Sequence, residues 1–497
     1  MKKFTITVIS LFMVLLISLS AISEAIGTNS KYASNQDYIQ SENLALKDKS
    51  NKMTDGKDGT VYRFKTRNGG ESIIDLGESC DFNSVILKEK GLNVQKFSIS
   101  VSDDNENFTQ IYANDKIEFH RLCTFDTVKA RYVKLTVEKS DNLPKIREME
   151  IYNAVPEKKN DFRVSTYSTL GGSVFGIIDD TTLSDAEKDA KIKELIDADY
   201  YDTVTDYIDI GNVRWDEEGI IHTDGWDGIE RDEDKYYAVM MRNLHEVLDE
   251  KGVNLVITIL NPSGENGNQK VMKSITENRD TLITNMIAFA NKYEFDGIDL
   301  DWEFPMSQDE FDAYNSFLQE LKARMNKEMW NREKSTLSLA LATWALKYTP
   351  ETIECIDYVN VMGYDILDQD GQHSSFFSSC VQAADYIESR GFSKEQINIG
   401  FPFYGTWEGG RMEQYAYNGI SEEISPFNNF YTMKKRDTQE DRYTYFNSQA
   451  IIRDKTAYAY LKGYGGVMIF SQYCDLPSGD ERSLTKAISD YLQEVTK

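Results

Sequence analysis

The chain of 497 residues is long enough for two or three domains, each with its own hydrophobic core. Its net charge of −27 argues against nucleic acid or an anionic membrane as a partner, because either would require a basic surface. The five cysteines are widely spaced and define no disulfide framework, although a pairing of Cys80 with Cys123 is left open. The four histidines lack metal-ligand spacing, which argues against a zinc enzyme.

The N-terminus is typical of a secretory signal peptide, which we place at residues 1–25. Two lysines precede the apolar run Val8 to Ile17, and small residues suited to cleavage follow at Ala21-Ile22-Ser23 or Ser23-Glu24-Ala25. The apolar run is short for a transmembrane helix, although an uncleaved membrane anchor is the alternative. We therefore expect a secreted, extracellular protein with no membrane contact in its mature form. A polar linker over residues 26–42 is expected to follow.

Short runs of alternating polar and apolar residues, separated by turn residues, fill the region 43–153. Examples lie at residues 72–76, 84–87, 96–101 and 131–137. Alternation over such lengths is typical of β-strands with one buried face. Several of them in succession predict an all-β sandwich.

Six segments of this region carry a family pattern. They are Asn43-Leu-Ala45, Asp55-Gly56, Ile74-Asp75-Leu76-Gly77, Ser102-Asp-Asp-Asn105, Ala130-Arg131-Tyr132-Val133 and Glu148-Met-Glu-Ile-Tyr152. Together they resemble a discoidin-like (coagulation-factor type C) domain, a jelly-roll sandwich also found in family 32 carbohydrate-binding modules. The resemblance implies glycan binding through loops at one end, with His120 and Arg121 as candidate sugar contacts.

The same resemblance implies a structural calcium ion in this domain. Hard oxygen ligands suit Ca²⁺, and the expected ligands are Asp55, Asp58, Thr60 and Glu148. The alternative is that residues 55–59 form only a tight turn, for which Asp and Gly are the usual residues.

Beyond a short linker at 154–161, strand-like runs alternate with helical patterns. The predicted strands are Phe162–Tyr167, Thr205–Ile210, Val253–Leu260, Phe295–Glu303, Thr336–Thr343, Tyr358–Tyr364, Ile397–Phe403 and Gly466–Phe470. Helical patterns such as Asp309–Lys327 and Ala450–Leu461 lie between them. About eight strand–helix units within residues 162–497 predict a (β/α)8 TIM barrel, whose active site lies at the C-terminal ends of the strands.

One predicted strand, residues 295–303, carries four acids in an otherwise apolar segment. Because side chains alternate along a strand, Asp299, Asp301 and Glu303 share one face and the apolar residues between them share the other. Burial and mutual repulsion raise the pKa of at least one of these carboxyl groups, as a general acid requires. The alternatives are a solvated acidic edge strand and a carboxylate metal site.

Asp296-Gly-Ile-Asp299-Leu-Asp301-Trp-Glu303 resembles the DxxDxDxE signature of glycoside hydrolase family 18, which contains chitinases and endo-β-N-acetylglucosaminidases. Three further motifs follow in the order of that family: Met362-Gly363-Tyr364-Asp365, Gly400-Phe401-Pro402-Phe403-Tyr404-Gly405 and Gly465-Gly466-Val467-Met468-Ile469. The resemblance implies a hydrolase of N-acetylglucosamine glycans that needs no cofactor for catalysis.

The resemblance also implies roles for the matching residues in a retaining mechanism assisted by the substrate's own acetamido group. Glu303 is the expected general acid and then general base, and Asp301 is expected to orient the acetamido group. Asp299 would tune Asp301, and Tyr364 would hold the acetamido oxygen for attack on the anomeric carbon. The candidates for substrate binding lie at or just beyond strand ends and are Asp365, Tyr404, Trp407, Phe470 and Trp344. For Tyr404 and Trp344 the alternative is packing in the core.

Two departures from the family pattern bear on the substrate. The third strand ends in Thr258-Ile-Leu-Asn-Pro262 rather than Ser-x-Gly-Gly, and Phe470 stands where many chitinases have Trp. Both count against a processive enzyme acting on crystalline chitin and make a shorter, more open groove for a soluble chain or a glycoprotein glycan equally reasonable. Chitin or chitooligosaccharide is the default substrate. The alternatives are the chitobiose core of N-glycans and, for a protein without catalysis, glycan binding as a lectin.

Overall fold

The structure is a computed structural model that describes residues 38–48, 51–57, 59–197, 202–224, 231–331, 335–365, 375–407, 410–420, 425–434, 438 and 440–496. The predicted signal peptide and Asp58 lie outside these ranges. No helix within them combines the length and the apolar character that crossing a bilayer requires.

The first part of the chain folds into an antiparallel sheet in the order β1-β6-β2-β5-β3-β4. Its strands are β1 (Tyr62–Arg63), β2 (Gly70–Glu89), β3 (Val94–Ser102), β4 (Thr109–Asn114), β5 (Arg121–Ser140) and β6 (Lys145–Tyr152). The register between the two long strands β2 and β5 breaks after Asp75. One half of β5 then pairs with β3, and the other half of β2 pairs with β6. The two layers enclose an apolar core, which confirms the predicted sandwich.

The disulfide that the sequence left open does not form. The β2–β5 register sets Cys80 opposite Ala130 and Cys123 opposite Val85. At roughly 3.3 Å per residue, the two cysteines are separated by several residues along the strands, well beyond the reach of a disulfide. Both are free thiols.

The second part is a closed barrel of eight parallel strands, which confirms the predicted (β/α)8 fold. The strands and the intervening short elements are, in chain order, β7 (Arg163–Ser168), β8 (Asp206–Trp215), the short antiparallel β9 (Ile221–His222), β10 (Asn254–Leu260), β11 (Gly297–Leu300), β12 (Thr336–Leu341), β13 (Tyr358–Val361), β14 (Ile397–Pro402), the insertion strands β15 (Tyr404–Trp407), β16 (Gly410–Ala416), β17 (Phe430–Lys434) and β18 (Asp441–Tyr445), and β19 (Gly466–Phe470). The barrel order is β10-β11-β12-β13-β14-β19-β7-β8, and pairing of β8 with β10 closes it.

Helices connect the barrel strands. They span Gly171–Asp179, Asp185–Asp197, Tyr237–Lys251, Gly267–Thr276, Arg279–Lys292, Gln308–Glu328, Pro350–Cys355, Phe377–Ser389, Gln449–Lys462 and Leu484–Thr496, with single 3-10 turns at Leu44–Lys47, Lys394–Gln396, Tyr417–Gly419 and Gln472–Cys474. The helix Gln308–Glu328 shows how the sequence sets a boundary. Ser307 and Glu310 form a reciprocal capping box at its start, and its buried residues recur every three or four positions.

The insertion strands form a small antiparallel sheet beside the mouth of the barrel. Its order is β16-β15-β18-β17, and β15 begins two residues after β14 ends. This sheet begins at Tyr404, and the helix Gln449–Lys462 follows it.

The sandwich and the barrel meet at a buried ion pair. Arg121 of β5 and Asp454 of the helix Gln449–Lys462 are 3.0 Å apart, and neither side chain is exposed. Asp454 also accepts hydrogen bonds from the hydroxyl of Tyr112 at 2.5 Å and from the backbone and side chain of Thr124 at 2.8 Å. A buried carboxylate with this set of donors fixes one docking geometry between the two folds.

The predicted linker at 26–42 is wrong at its C-terminal end, because that end is packed rather than solvated. Tyr38 and Ile39 are 6% and 8% exposed. The Tyr38 hydroxyl lies 2.8 Å from Nε2 of His120, and its ring meets Tyr458 of the barrel edge-on. Two apolar residues in a polar stretch thus fill the seam between the two folds.

Replacing Asp454 with alanine should destabilise the protein strongly, because Arg121 would stay buried without a counter-charge. We expect the free energy of unfolding in urea to fall by about 3–5 kcal/mol. The control is Glu71→Ala, which removes the half-exposed partner of Lys134 and should cost less than about 1 kcal/mol. Equal midpoints for the two variants would contradict a structural role for the buried pair.

Candidate active site

The structure brings most of the predicted site residues to one end of the barrel. In a parallel barrel the C-terminal ends of all strands open on the same face. Residues from five neighbouring strand ends therefore meet there: Asp299, Asp301 and Glu303 at β11, Trp344 after β12, Tyr364 and Asp365 after β13, Tyr404 after β14, and Phe470 at the end of β19.

Asp299 is fully buried inside the barrel and is bound by hydroxyl groups. Its Oδ2 accepts hydrogen bonds from Tyr167 at 3.0 Å and Thr258 at 2.9 Å, and its Oδ1 accepts one from Ser338 at 2.6 Å. The register explains these contacts, because Thr258 of β10 and Ser338 of β12 lie directly opposite Asp299. Burial raises the pKa of Asp299, and the hydroxyl donors oppose that rise.

A further set of polar side chains orients Tyr167. Asn360 donates to the Tyr167 hydroxyl at 3.1 Å, so the hydroxyl proton is directed at Asp299. Asn398 donates in turn to Asn360 and to Ser165, each at 3.1 Å. The sequence analysis did not select these residues. The signal that would have found them is a polar residue at an inward position of a predicted apolar strand.

The predicted strand Phe295–Glu303 is too long at its C-terminal end. Backbone pairing of β11 stops at Leu300, so Asp301 and Glu303 lie beyond the strand, at the barrel mouth. Trp302 between them is 4% exposed and packs into the core. The expected separation of acids from apolar residues is therefore present, although the last two acids are on a loop.

Asp301 is the most perturbed of the three acids. Burial raises its pKa well above the usual range, and the charges of Glu303 and Asp299 raise it further. Its Oδ1 is buried and has no hydrogen-bond partner among the described residues. Such an oxygen is costly to bury.

Glu303 stands closest to solvent. Its side chain is exposed at the mouth, yet desolvation by the surrounding atoms raises its pKa, and the charge of Asp365 adds to this effect. Because water screens an exposed carboxyl group, we attribute to it a smaller rise than to Asp301. The direction of the change favours the protonated form that a general acid needs.

Aromatic rings line the site opposite the acids. The rings of Tyr364 and Phe470 are stacked, with centroids 5.9 Å apart and planes at 13°. Tyr404 meets both rings edge-on at 6.3 Å. Its hydroxyl donates to the carboxylate of Asp365, with both oxygens at 2.9 Å. Burial raises the pKa of Tyr364, and the charges of Asp365, Asp301 and Glu303 add to this rise.

The two predicted tryptophans differ in what the structure describes. Trp344 is half-buried and meets Phe304 edge-on, with ring centroids 4.9 Å apart. Its ring therefore lies beside the residue that follows Glu303. Trp407 ends β15, and its side chain lies outside the described residues.

The proposed sugar contacts of the sandwich are wrong. His120 is 6% exposed and Arg121 is fully buried, because both face the barrel. Burial lowers the pKa of His120 to about 3, so it is neutral at the interface. The barrel covers the part of the sandwich in which these sugar contacts were predicted.

Three of the four predicted calcium ligands lie around one backbone amide. Lys57 N donates to Asp55 at 3.0 Å and to Glu148 at 2.8 Å, and the Thr60 hydroxyl donates to Asp55 at 2.9 Å. The first contact is the tight turn that was the alternative. Glu148 Oε2 is buried with no partner among the described residues. Burial, with the Asp55 charge, raises the pKa of Glu148 to about 7.

No group of three or more His, Cys, Asp or Glu side chains within the described ranges is arranged to hold a metal ion. The fourth predicted ligand, Asp58, lies outside those ranges. The calcium site is therefore still a prediction.

The site thus combines carboxyl groups that range from fully buried to exposed with stacked aromatic rings, at the C-terminal mouth of a (β/α)8 barrel. This combination is typical of glycoside hydrolases. The family comparisons agree with this class. Residues 250–475 match the sequence model of Glycosyl hydrolases family 18, and residues 31–149 match that of the F5/8 type C domain. These two matches confirm the two family resemblances that were predicted from the motifs.

Individual relatives are distant and overlap only in part. The class V chitinase of Arabidopsis thaliana is 26% identical over 185 residues, which is 33% of this chain and 48% of the relative. Chitinase A1 of Niallia circulans is 26% identical over 255 residues, which is 39% of this chain and 36% of the relative. The chain spans less than half the length of these curated relatives.

Among solved structures, the family 18 chitinase ChiB from the chitin utilization locus of Flavobacterium johnsoniae superposes with a TM-score of 0.50 at 20% identity. The match covers 68% of this chain and 96% of that chain. This likeness shows a shared fold.

Asp301→Asn should raise the melting temperature at pH 7. The pKa of Asp301 is higher in the folded protein than in the unfolded chain, where it is about 3.9, so ionisation of this group lowers the stability of the wild type as the pH rises above about 4. The difference in melting temperature between the variant and the wild type should therefore shrink towards zero below about pH 4, as measured by scanning calorimetry across pH.

The matched control is Asp104→Asn. Asp104 is exposed, and backbone donors such as the Asn107 amide hold its pKa well below the usual range. Its replacement should lower the melting temperature at pH 7, the opposite sign. A loss of stability in Asp301→Asn would contradict the burial of an ionised, unpartnered carboxylate.

Proposed function

We propose that the protein is a secreted glycoside hydrolase that cleaves β-1,4-linked N-acetylglucosamine glycans, with chitin or chitooligosaccharide as the substrate. The observation that carries the proposal is the buried Oδ1 of Asp301, which has no hydrogen-bond partner among the described residues and lies between a hydrogen-bonded Asp299 and an exposed Glu303. The acetamido N–H of an N-acetylglucosamine ring is a donor that fits this oxygen. A sugar with a hydroxyl group at the same carbon could also donate to this oxygen, but it has no carbonyl oxygen that can attack the anomeric carbon.

The proposed first step breaks the glycosidic bond. Glu303 gives its proton to the glycosidic oxygen, and the aglycone leaves as the alcohol. At the same time the carbonyl oxygen of the substrate's acetamido group attacks the anomeric carbon, which forms an oxazolinium ion. Asp301 accepts the acetamido N–H and stabilises the positive charge that develops on this group. The hydroxyl of Tyr364 holds the acetamido oxygen in line.

The second step restores the enzyme. The Glu303 carboxylate takes a proton from a water molecule, whose oxygen attacks the anomeric carbon and reopens the oxazolinium ring. Two displacements on one carbon give net retention of configuration. Phe470 and Tyr364 form the apolar floor under the ring, and Asp365, held by Tyr404, accepts hydrogen bonds from sugar hydroxyls.

Secretion is supported by the residue pattern of the N-terminal segment 1–25, where two lysines precede an apolar run and small residues. The negative net charge also suits an uncharged glycan better than a polyanionic partner. An extracellular glycan is thus the partner we propose.

Product analysis by mass spectrometry tests this function. The full chain would be incubated with chitohexaose and, separately, with a high-mannose glycoprotein, each with Glu303→Gln in parallel. We expect short chitooligosaccharides from the first substrate. Glu303→Gln should lose about 10²–10⁴-fold in rate while it keeps binding, because it removes the proton and little volume.

Other products would redirect the assignment. Glycans released from the glycoprotein, with one N-acetylglucosamine left on the polypeptide, would make the protein an endo-β-N-acetylglucosaminidase. Glycan binding without any product would make it a lectin. Full activity of Glu303→Gln would remove Glu303 from the role of general acid.

We further propose a structural calcium ion in the sandwich, bound by Asp55, Thr60 and Glu148 together with Asp58. The support is the buried Oε2 of Glu148, which has no partner within the described ranges, and the repulsion between Glu148 and Asp55. A divalent cation would relieve both. Calcium should raise the melting temperature of the wild type and EDTA should lower it, as measured by differential scanning fluorimetry. Glu148→Gln should lose this response. A wild-type melting curve unaffected by calcium and EDTA would argue for the turn alone.

A further inference from the structure

The turn that joins β4 to β5 in the sandwich, residues 114–121, contacts the barrel. Asn114 and Asp115 accept hydrogen bonds from Asn429, which precedes β17 of the insertion. Arg121 pairs with Asp454 of the helix Gln449–Lys462. The barrel thus covers the part of the sandwich where the sugar contacts were predicted.

Glu118, in the middle of this turn, acts on the helix Phe377–Ser389 of the barrel. The residue before that helix, Phe376, has no side chain that can accept a hydrogen bond from its first amides. Glu118 supplies the missing acceptors: Oε1 is 3.3 Å from the amide of Phe377 and Oε2 is 2.6 Å from that of Ser378. A carboxylate at this position also interacts favourably with the helix dipole.

The turn holds Glu118 in a backbone conformation that few residues adopt. Glu118 has φ 67° and Lys116 has φ 50°, both in the left-handed region. The Glu118 carbonyl accepts a hydrogen bond from the Glu89 amide at 3.1 Å, and the Lys116 ammonium lies 4.5 Å from the ring of Phe376. Contacts from both domains therefore maintain a strained turn that aims the carboxylate at the helix.

The capped helix end is connected to the candidate active site. Lys455, which is fully buried, donates to the carbonyl and hydroxyl of Ser375 at 2.9 and 2.8 Å and to Asn447 at 2.9 Å. Asn447 donates to the carbonyl of Pro402, the last residue of β14, at 3.2 Å. Tyr404 follows two residues later and binds Asp365. Hydrogen bonds thus link the residue at the start of the helix to the end of β14, two residues before Tyr404.

We infer that Glu118 is a positioning residue of the hydrolase, a helix cap supplied in trans by the sandwich. On this inference the sandwich helps to hold the side of the active site that Asp365 and Tyr404 form, and it is not a freely tethered binding module. The catalytic half of the inference rests on the proposed function. The capping half does not, because it concerns backbone amides of the barrel.

Hydrogen exchange with mass spectrometry on the full chain tests the cap. The variants are Glu118→Ala and Glu118→Gln, with Glu106→Gln as the control, because Glu106 is an exposed acid in another loop of the same domain. In Glu118→Ala we expect amides 376–379 to exchange between about 2-fold and 30-fold faster, the range that loss of a helix cap gives. Glu118→Gln keeps one acceptor and should restore much of the protection. Unchanged exchange at 376–379 in Glu118→Ala would overturn the cap.

Steady-state kinetics on chitohexaose test the positioning role. We expect Glu118→Ala to lose roughly 10-fold to 100-fold in kcat/KM, mainly through KM, because Asp365 and Tyr404 contact the substrate and transfer no proton. Glu118→Gln should recover most of this loss, and Glu106→Gln should match the wild type. Faster exchange with unchanged kcat/KM would overturn the positioning role. A wild type that hydrolyses neither test substrate would refute the proposed function, while the exchange data would still decide the cap.

Discussion

The burial of a carboxylate inside the barrel is the constraint on which the site depends. Asp299 has no exposed surface, and an ionised group there is tolerated only when hydrogen bonds replace its hydration. The neighbouring strands must therefore carry Thr258 and Ser338 at the facing positions. Tyr167, the third donor, needs Asn360 behind it to direct its proton. One acid thus dictates polar residues on several of the strands around it.

The three acids Asp299, Asp301 and Glu303 differ in hydrogen bonding and in exposure to solvent. Asp299 is hydrogen-bonded by three hydroxyl groups, the Oδ1 of Asp301 is buried with no partner in the part of the chain that the structure describes, and Glu303 is exposed. The difference follows from where β11 ends, because strand pairing stops at Leu300 and only the residue inside the sheet has neighbours at fixed register. Ionised Asp301 therefore costs stability, because the protein buries this oxygen without the hydrogen bonds that Asp299 receives.

The barrel and the row of acids were predictable because both are local patterns. Alternation within each strand and acids two residues apart are visible in the sequence itself. Contacts that join distant segments have no such spacing. The pairing of Arg121 with Asp454 and the cap that Glu118 gives to Ser378 link residues more than 250 positions apart. His120 was misassigned for the same reason, since its exposure is decided by a domain that begins some 40 residues later.

The buried polar groups at the domain interface specify geometry more than they add stability. Removing an ion pair such as Arg121–Asp454 from water costs about as much as the attraction returns, so the pair is weak evidence for tight association. Any other docking of the two folds, however, would leave Arg121 or Glu118 buried without a partner. Asp454 and Lys455 are consecutive on one helix, and the first binds the sandwich while the second binds Ser375, which precedes the helix Phe377–Ser389 of the barrel. A shift of the sandwich would therefore also move the helix Gln449–Lys462, and with it the lysine that binds Ser375.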